Sequence, residues 1–578
     1  MDYAVSFGRL GKRDRAAPGP AFRIALLGDF SGRAGAGELE TGAALAGRKP
    51  IKVDVDNFDQ VVERLKPKVV VGLGDEGTVT APIGELDDFH PDHLVEHLDL
   101  FGQLVGLRRN LQSKAGFDRA AKQVLSWAGA EALPKARKKS GGSAVATDRK
   151  LSDFARLTGR KASGEAAADD LIRRLVGPFI EPARDSRQDA LIARVDEALS
   201  AAMRRVLHSP EFQTAEALWR SLDLLVRRIE TGARMQIVLY DISAEELAAD
   251  LAAGDELDSC GLYSLLVEQP SLDANQGPLS LVAGLYEWEL TPPHADLLGR
   301  MAQLCAAAGA PFLSGIAPDP LREPAHEWHP LIRQAWAGLR EAPGSAYLGL
   351  ATPRFLLRMP YGKRTDPIDA FAFEEFTRQD GLSGMLWGNP AVLVALTLAE
   401  TWARDSKAMK LGSVATVDDL PVYVYVDKDG DQIALPCTER LFTEKLAAQV
   451  GALGVIPVVS LRGRPEVRVA SFNAVSGKPI AGRWAPVNLA PASAAAAAPP
   501  PVALADETST DDALLAGLET DPAAEPASAS APEPQPAPPA AAEDDLDALL
   551  ASLNAEPEKP AKEQDTEVDL DALLASLK

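Results

Sequence analysis

Apolar and polar positions along this chain follow two periods, and the changes between them mark out its elements. Phe22-Arg-Ile-Ala-Leu-Leu27 is a short, nearly continuous apolar run that predicts a strand, with Gly28-Asp-Phe-Ser-Gly-Arg33 as the turn after it. Lys49–Asp56 alternates as a half-buried strand does, and Asn57 or Asp56 then caps an expected helix. Val69-Val-Val71 runs into Gly72-Leu-Gly-Asp-Glu-Gly77, formally a G-x-G-x-x-G pattern. A dinucleotide site needs a helix N-terminus next. Thr78-Val-Thr-Ala-Pro-Ile83 instead continues as a strand, so a hairpin is expected. Pro91 suits the first turn of a helix opened by Asp87–Leu94, and Leu98, Phe101, Leu104, Val105 and Leu111 recur at core spacing.

Further along, helices and strands alternate. Ala190–Leu207 reads as a helix, His208–Phe212 as a break, and Ala215–Ile229 as a second helix with Trp219 on its apolar side. Strands are expected at Met235–Tyr240, Leu279–Leu285, Ala310–Ala317 and Tyr347–Ala351, with a helix at Ala295–Ala308. Ser243 and Glu246 have the spacing of a capping box. The pattern predicts an α/β (mixed α+β) fold. Leu348–Pro390 is the densest stretch, with Pro353–Arg358 expected as a helical turn and Pro360–Lys363 as a turn. Trp219, Arg354, Arg358, Tyr361, Lys363, Trp387 and Asn389 are assigned to a structural core, the three cations pairing with Glu374, Glu375 and Asp366. Pro421–Val426 and Gln432–Leu435 predict a hairpin. Its Asp427–Asp431 turn departs from a calcium loop, with Gly430 at the fourth place and Thr438 at the twelfth. Val455–Leu461 and Glu466–Phe472 are the last expected strands.

Charge changes the picture at one end. The 578 residues carry a net charge of −23. Residues 489–578 hold 19 acidic residues and 3 lysines, which leaves the remainder near −7. That balance argues against a nucleic-acid partner. The scattered Cys260, Cys305 and Cys437 give neither a disulfide framework nor a zinc spacing, and point to a reducing cytoplasm. No signal peptide or membrane insertion is expected, since no apolar run approaches about 18 residues. His90, His93 and His97 share part of a helix face but lack an HExxH pattern, and the turn at Gly28 lacks a Walker lysine. No metal, cofactor or catalytic site is expected. Lys135–Ser143 is basic and then flexible, and helices around Leu151–Leu157 and Asp169–Ile180 flank the join.

The tail is rich in Ala, Pro, Asp and Glu and has no aromatic residue after Trp484, so it is expected to be disordered. Within it, Asp545-Leu-Asp-Ala-Leu-Leu-Ala-Ser-Leu553 recurs identically at Asp569–Leu577. A degenerate copy spans Thr510–Leu518, with Leu514, Leu515 and Leu518. Leu546, Leu549, Leu550 and Leu553, like Leu570, Leu573, Leu574 and Leu577, fall on one helical face. Such short helices fold into a partner's groove, and repeated copies raise avidity. The partner of these motifs is not named by the sequence.

Several separated motifs resemble a known family. Leu27–Arg33, Lys49–Phe58 and Asp88–Asp92 resemble the small subunit of the type VI secretion contractile sheath. His208–Phe212, Trp219–Leu222, Pro353–Lys363 and Leu386–Pro390 resemble its large subunit, in the same chain order. The resemblance implies residues 1–133 as a small-subunit-like domain, 134–168 as a linker, 169–486 as a large-subunit-like domain and 487–578 as the tail. It implies a cytoplasmic, non-enzymatic protomer that assembles with itself or other sheath subunits around an inner tube protein. A recycling ATPase and baseplate components are the further implied partners, the ATPase at a segment within Leu151–Phe179. It also implies strands shared between protomers, here through Val455, Ile456, Val458, Val459, Leu461, Val467, Val469 and Phe472. Both halves lie in one chain, so a sheath-like adaptor or cap that does not polymerise is the other expectation.

Overall fold

The computed structural model describes residues 21–72, 78–127, 187–273, 276–406, 409–426, 432–461 and 463–484. The join around 134–168, the helices expected near it and all tail leucines lie outside the described residues.

Fifteen strands follow in chain order among the described residues. The first segment supplies β1 (Phe22–Gly28), β2 (Ile51–Val53), β3 (Lys68–Gly72) and β4 (Thr78–Pro82). The second supplies β5 (Met235–Asp241), β6 (Leu281–Trp288), β7 (Phe312–Ile316), β8 (Leu348–Thr352), β9 (Phe355–Leu356) and β10 (Trp387–Gly388). It continues with β11 (Thr416–Val417), β12 (Val424–Val426), β13 (Gln432–Ala434), β14 (Val455–Ser460) and β15 (Val467–Val469). Nine of them form one sheet in the order β11-β15-β14-β8-β7-β6-β1-β5-β2. Its six inner strands from β14 to β5 are parallel, with antiparallel strands at both ends.

The first segment is not a separate layer. β1 runs between β5 and β6, with Phe22 opposite Met235 and Gly28 opposite Asp241. All seven of its residues are buried, which suits a parallel strand covered on both faces. Side chains alternate across the sheet. Phe22, Ile24 and Leu26 enter one core, with the helices Asp99–Gln112, Gln188–Leu207, Pro210–Arg228 and Ala391–Asp405. Ala25 and Leu27 enter the other, with the helices Ala244–Ala252, Pro292–Ala308 and Pro330–Glu341. The first and second segments therefore form one composite α/β body.

Most local expectations match the elements, and the differences have local causes. The strand expected over Lys49–Asp56 is limited to Ile51–Val53, because Asp54 and Asn57 exchange backbone-to-side-chain hydrogen bonds at 3.0 and 3.1 Å that turn the chain. The second helix starts at Pro210, ahead of the expected Ala215, with Ser209 Oγ accepting from the Phe212 N–H. Pro353–Arg358 is not a helical turn. Phe355 and Leu356 pair with Gly388 and Trp387, and the Leu356 N–H donates to Cys437 O at 2.8 Å, so distant partners override the local preference for a turn. The strands around Gly72–Gly77 do pair antiparallel, Lys68 with Pro82 through Gly72 with Thr78.

Leu26 sits at the centre of the sheet with no exposed surface. Leu26→Ala is expected to cost about 2–5 kcal/mol of stability. A denaturant titration should show a lower midpoint at unchanged slope; a shift under about 1 kcal/mol would mean that β1 is not packed as described.

Candidate functional site

The first of two sets of buried polar groups holds the segments together, and the second lies within the second segment. The first set starts at the carboxyl end of β5. Asp241 accepts from the backbone N–H groups of Phe30 and Ser31 at 2.8 and 3.1 Å and from Ser31 Oγ at 2.6 Å. Burial pushes its carboxyl up despite these donors. Next to it, Ser243 and Glu246 form the capping box expected of the helix Ala244–Ala252. Glu246 is fully buried and also binds the first segment: it accepts from Arg48 through both terminal nitrogens, from Arg33 Nε at 3.3 Å and from the Glu40 N–H at 3.0 Å. Burial alone would raise the Glu246 carboxyl; the Arg48 guanidinium and the backbone donors outweigh it and hold the group below its usual range. Asp250, one turn on, accepts from the N–H groups of Gly42, Gly261 and Leu262 at 2.6, 3.1 and 2.8 Å.

Trp219 anchors the other face. It is 1% exposed, its indole N–H donates to Phe30 O at 3.2 Å, and Phe30 and Phe58 of the first segment meet it edge-on. Beyond it lies the second polar set. Arg358 donates to Glu216 at 2.7 and 3.2 Å and to Glu375 at 2.7 and 3.1 Å, and stacks 4.0 Å over the Tyr361 ring. Arg220 bridges Glu216 at 2.6 Å to Tyr361 Oη at 3.0 Å. Two carboxylates thus face two guanidiniums, which leaves this buried group neutral. Burial would raise Glu375, but the Arg358 charge, together with hydrogen bonds from Arg358 and the Tyr361 N–H and with His208 Nε2 at 3.7 Å, holds it near a pKa of about 2.

The cations of the Leu348–Pro390 stretch have different partners from those expected. Arg358 does meet Glu375, but its second partner, Glu216, lies on a distant helix. Arg354 pairs with Glu439 at 2.7 Å and Glu287 at 3.2 Å, and not with Glu374, Glu375 or Asp366. Lys363 is exposed, and its backbone N–H donates to Glu374 Oε1 at 3.2 Å. Asn389 Nδ2 donates to Tyr286 O at 2.7 Å while its Oδ1 accepts from Ala391 N–H, and Trp387 Nε1 donates to Leu382 O at 3.0 Å. The sequence did contain one signal for Glu216: an acid placed between Phe212 and Trp219 on an otherwise apolar helix face.

A crevice of about 700 Å³ opens where β1, β6 and β7 end, lined by Asp29, Tyr286, Glu287, Ile316, Arg354 and Trp387 among others. The carboxyl edge of a parallel sheet is where open α/β folds bind ligands. Among the described residues, no histidine, cysteine or lysine lines it, and Arg354 is already neutralised by its carboxylate partners. Among the described residues, Glu85, Asp88 and His93 are the cluster close enough to hold a metal ion. Asp88 Oδ2 accepts from the N–H groups of Gly84 and Glu85 at 2.6 and 3.0 Å, and its Oδ1 lies 3.1 Å from His93 Nδ1.

The strands expected to be shared between protomers have neighbours within this chain. β14 lies between β8 and β15, and β15 between β14 and β11, so each has neighbours from its own chain on both edges. Val455, Ile456, Val458, Val467, Val469 and Phe472 are buried, and Val459 and Leu461 half-buried. A strand paired on both sides has no open row of N–H and C=O groups to offer a third.

Comparison with known proteins places both segments. Residues 19–126 match the family described as "Type VI secretion system, VipA, VC_A0107 or Hcp2", and residues 189–476 match VipB, "EvpB/VC_A0108, tail sheath N-terminal domain". The chain belongs to the type VI secretion sheath proteins, with the two kinds of segment fused in one polypeptide. Among its relatives is the type VI secretion system sheath protein TssC1 of Pseudomonas aeruginosa, 30% identical over 292 residues, covering 47% of this chain and 58% of that protein. Sheath protein TssB1 of the same organism is 31% identical over 96 residues, covering 16% of this chain and 54% of that protein. The chain thus spans a little over half the length of the curated relatives it matches. Among the described residues, no helix is long and apolar enough to cross a membrane.

Removing Arg358 would leave two buried carboxylates short of a partner. Arg358→Met is expected to cost about 3–5 kcal/mol, read as a fall in the thermal midpoint. The pH dependence follows from Glu375, whose folded pKa is depressed to about 2 from an ordinary 4.5. Its contribution, on the order of 3 kcal/mol, is fully present above pH 4.5 and is lost as pH falls toward 2. The stability gap between the wild type and Glu375→Gln should therefore narrow across that window, and a gap independent of pH would refute the assignment.

Proposed function

We propose that this chain is a structural component of a type VI secretion sheath, a protomer whose small-subunit-like and large-subunit-like parts are made as one unit. The observation that carries this is the position of β1: a strand of the VipA-type segment lies inside the sheet of the VipB-type segment. Two separate subunits would have to find each other to build that sheet. Fusion makes the encounter intramolecular and fixes the ratio of the two parts at one to one. The protomer acts through shape and packing in the cytoplasm, without a catalytic step or cofactor.

Its partners are other copies or other sheath subunits, and through them the inner tube protein, baseplate components and a recycling ATPase. Within one chain β2 and β11 are the outer strands of the nine-stranded sheet, and their outer edges are further surfaces open to contacts between protomers. The alternative reading, a sheath-like cap or adaptor that joins an assembly without propagating it, is not favoured by the sheath-protein relatives.

Negative-stain microscopy of the purified full chain separates the two. Rings or tubes are expected of a protomer. Discrete particles at every concentration would rule out self-assembly and leave the adaptor reading.

A further inference from the structure

The order of the strands reverses direction once. From β1 the chain goes to β2 and β5 on one side, then crosses to β6 on the other and steps outward through β7 and β8. The connections diverge between β1 and β6, and such a divergence leaves a gap above the carboxyl ends of the strands. The crevice of about 700 Å³ lies there, with Asp29 just past β1, Glu287 near the end of β6 and Ile316 at the end of β7 among its walls. All the residues that line it, and their chain neighbours, are among the described ones.

In nucleotide-binding α/β folds, backbone N–H groups of the loop after the first strand hold a phosphate at this place. Here those groups are taken. The N–H groups of Phe30 and Ser31 donate to Asp241, and those of Arg33 and Ala34 donate to Asp29 at 2.7 and 3.0 Å. The charges also disfavour an anion. Asp29, Glu245, Glu287 and Glu439 line the crevice against Arg354 and Arg440. Arg354 is held by Glu439 and Glu287, and Arg440 by Asp319 at 3.2 Å. The Glu245 carboxylate has no partner among the described residues. Burial, with the neighbouring Glu439, Glu289 and Asp319 carboxylates, pushes the Glu287 carboxyl up despite Arg354. The crevice therefore has negative charge to spare.

A second, independent observation comes from one wall. The helix Pro210–Arg228 turns Gln213, Ala217 and Ser221 to the crevice, four residues apart and so on one face. Ser221 is 1% exposed, and its hydroxyl has no hydrogen-bond partner among the described residues. A buried hydroxyl is costly to leave unpaired, and a ligand in the crevice would supply the missing bond. Trp387 also lines the crevice, half-buried, and an aromatic ring attracts cations. We propose that this crevice binds an organic cation, a guanidinium or primary ammonium group on a short chain, with Glu245 and Glu287 supplying the charge and the Ser221 hydroxyl a hydrogen bond. Two sources carry that chemistry: a free amine, and an arginine or lysine side chain presented by a partner protein. Occupancy does not require the chain to polymerise.

Ligand-observed NMR titrations of the full chain test this, with agmatine as the free cation, acetyl-Gly-Arg-Gly-amide as the peptide and inorganic phosphate as the anion. Saturable binding of agmatine is expected, and none of phosphate. Glu245→Gln/Glu287→Gln should weaken agmatine at least about tenfold, and Ser221→Ala about threefold. Glu245 is exposed and the Glu287 side chain is 43% exposed, so the fold is not at stake in the double variant, and its thermal midpoint checks that. Peptide binding as tight as that of agmatine assigns the site to a partner's side chain, and binding of agmatine alone assigns it to a free amine. Binding of neither cation, unchanged agmatine affinity in the double variant, or saturable binding of phosphate overturns the proposal.

Discussion

A parallel strand needs hydrogen-bonding neighbours on both edges and apolar cover on both faces, and β1 obtains all four from the second segment. The rest of the body depends on this. With β1 in place, β5 and β6 belong to one continuous sheet, and the two cores lie back to back across it. Without it, β5 and β6 would each present an unpaired edge in the middle of the molecule, and the helices on both faces would lose the floor they pack on. The small-subunit-like segment is therefore part of the core of the large-subunit-like one.

The polar seam follows from that insertion. The turn after β1 leaves the N–H groups of Phe30 and Ser31 at the end of the sheet, and Asp241, the last residue of the neighbouring strand, takes them. Glu246 and Asp250 continue the pattern along one helix, each accepting backbone N–H groups of the first segment. Burying a carboxylate is costly unless its lone pairs are filled. These groups consequently specify one arrangement of the segments more than they add net stability. The Arg358 cluster, built from the second segment alone, ties the loop at Tyr361 and the run at Glu375 to the helix that carries Trp219.

Much of the architecture was legible in the residues. Buried runs such as Phe22–Leu27 and Met235–Tyr240, the capping box at Ser243, the hairpin strands around Gly72–Gly77 and the amphipathic helices declare themselves because burial, capping and turn chemistry act over a few residues. The order of family-like motifs was legible for the same reason. The partners of Arg354 were not, since Glu287 and Glu439 lie 67 and 85 residues away, on opposite sides of it in sequence. Nor was the extended path of Phe355 and Leu356, which is set by Cys437 and the strand at Trp387.

By itself, then, the sequence determined which stretches are strands and helices, which faces they bury, and that two sheath-type segments and an acidic, leucine-bearing tail share one chain. Only the tertiary structure decided that β1 lies between β5 and β6, that β14 and β15 are enclosed, and which carboxylate answers each buried arginine. The physical reason is that periodicity records whether a side chain is buried but not against what. Strand neighbours and ion-pair partners are chosen by the whole folded chain, where every candidate edge and charge competes at once.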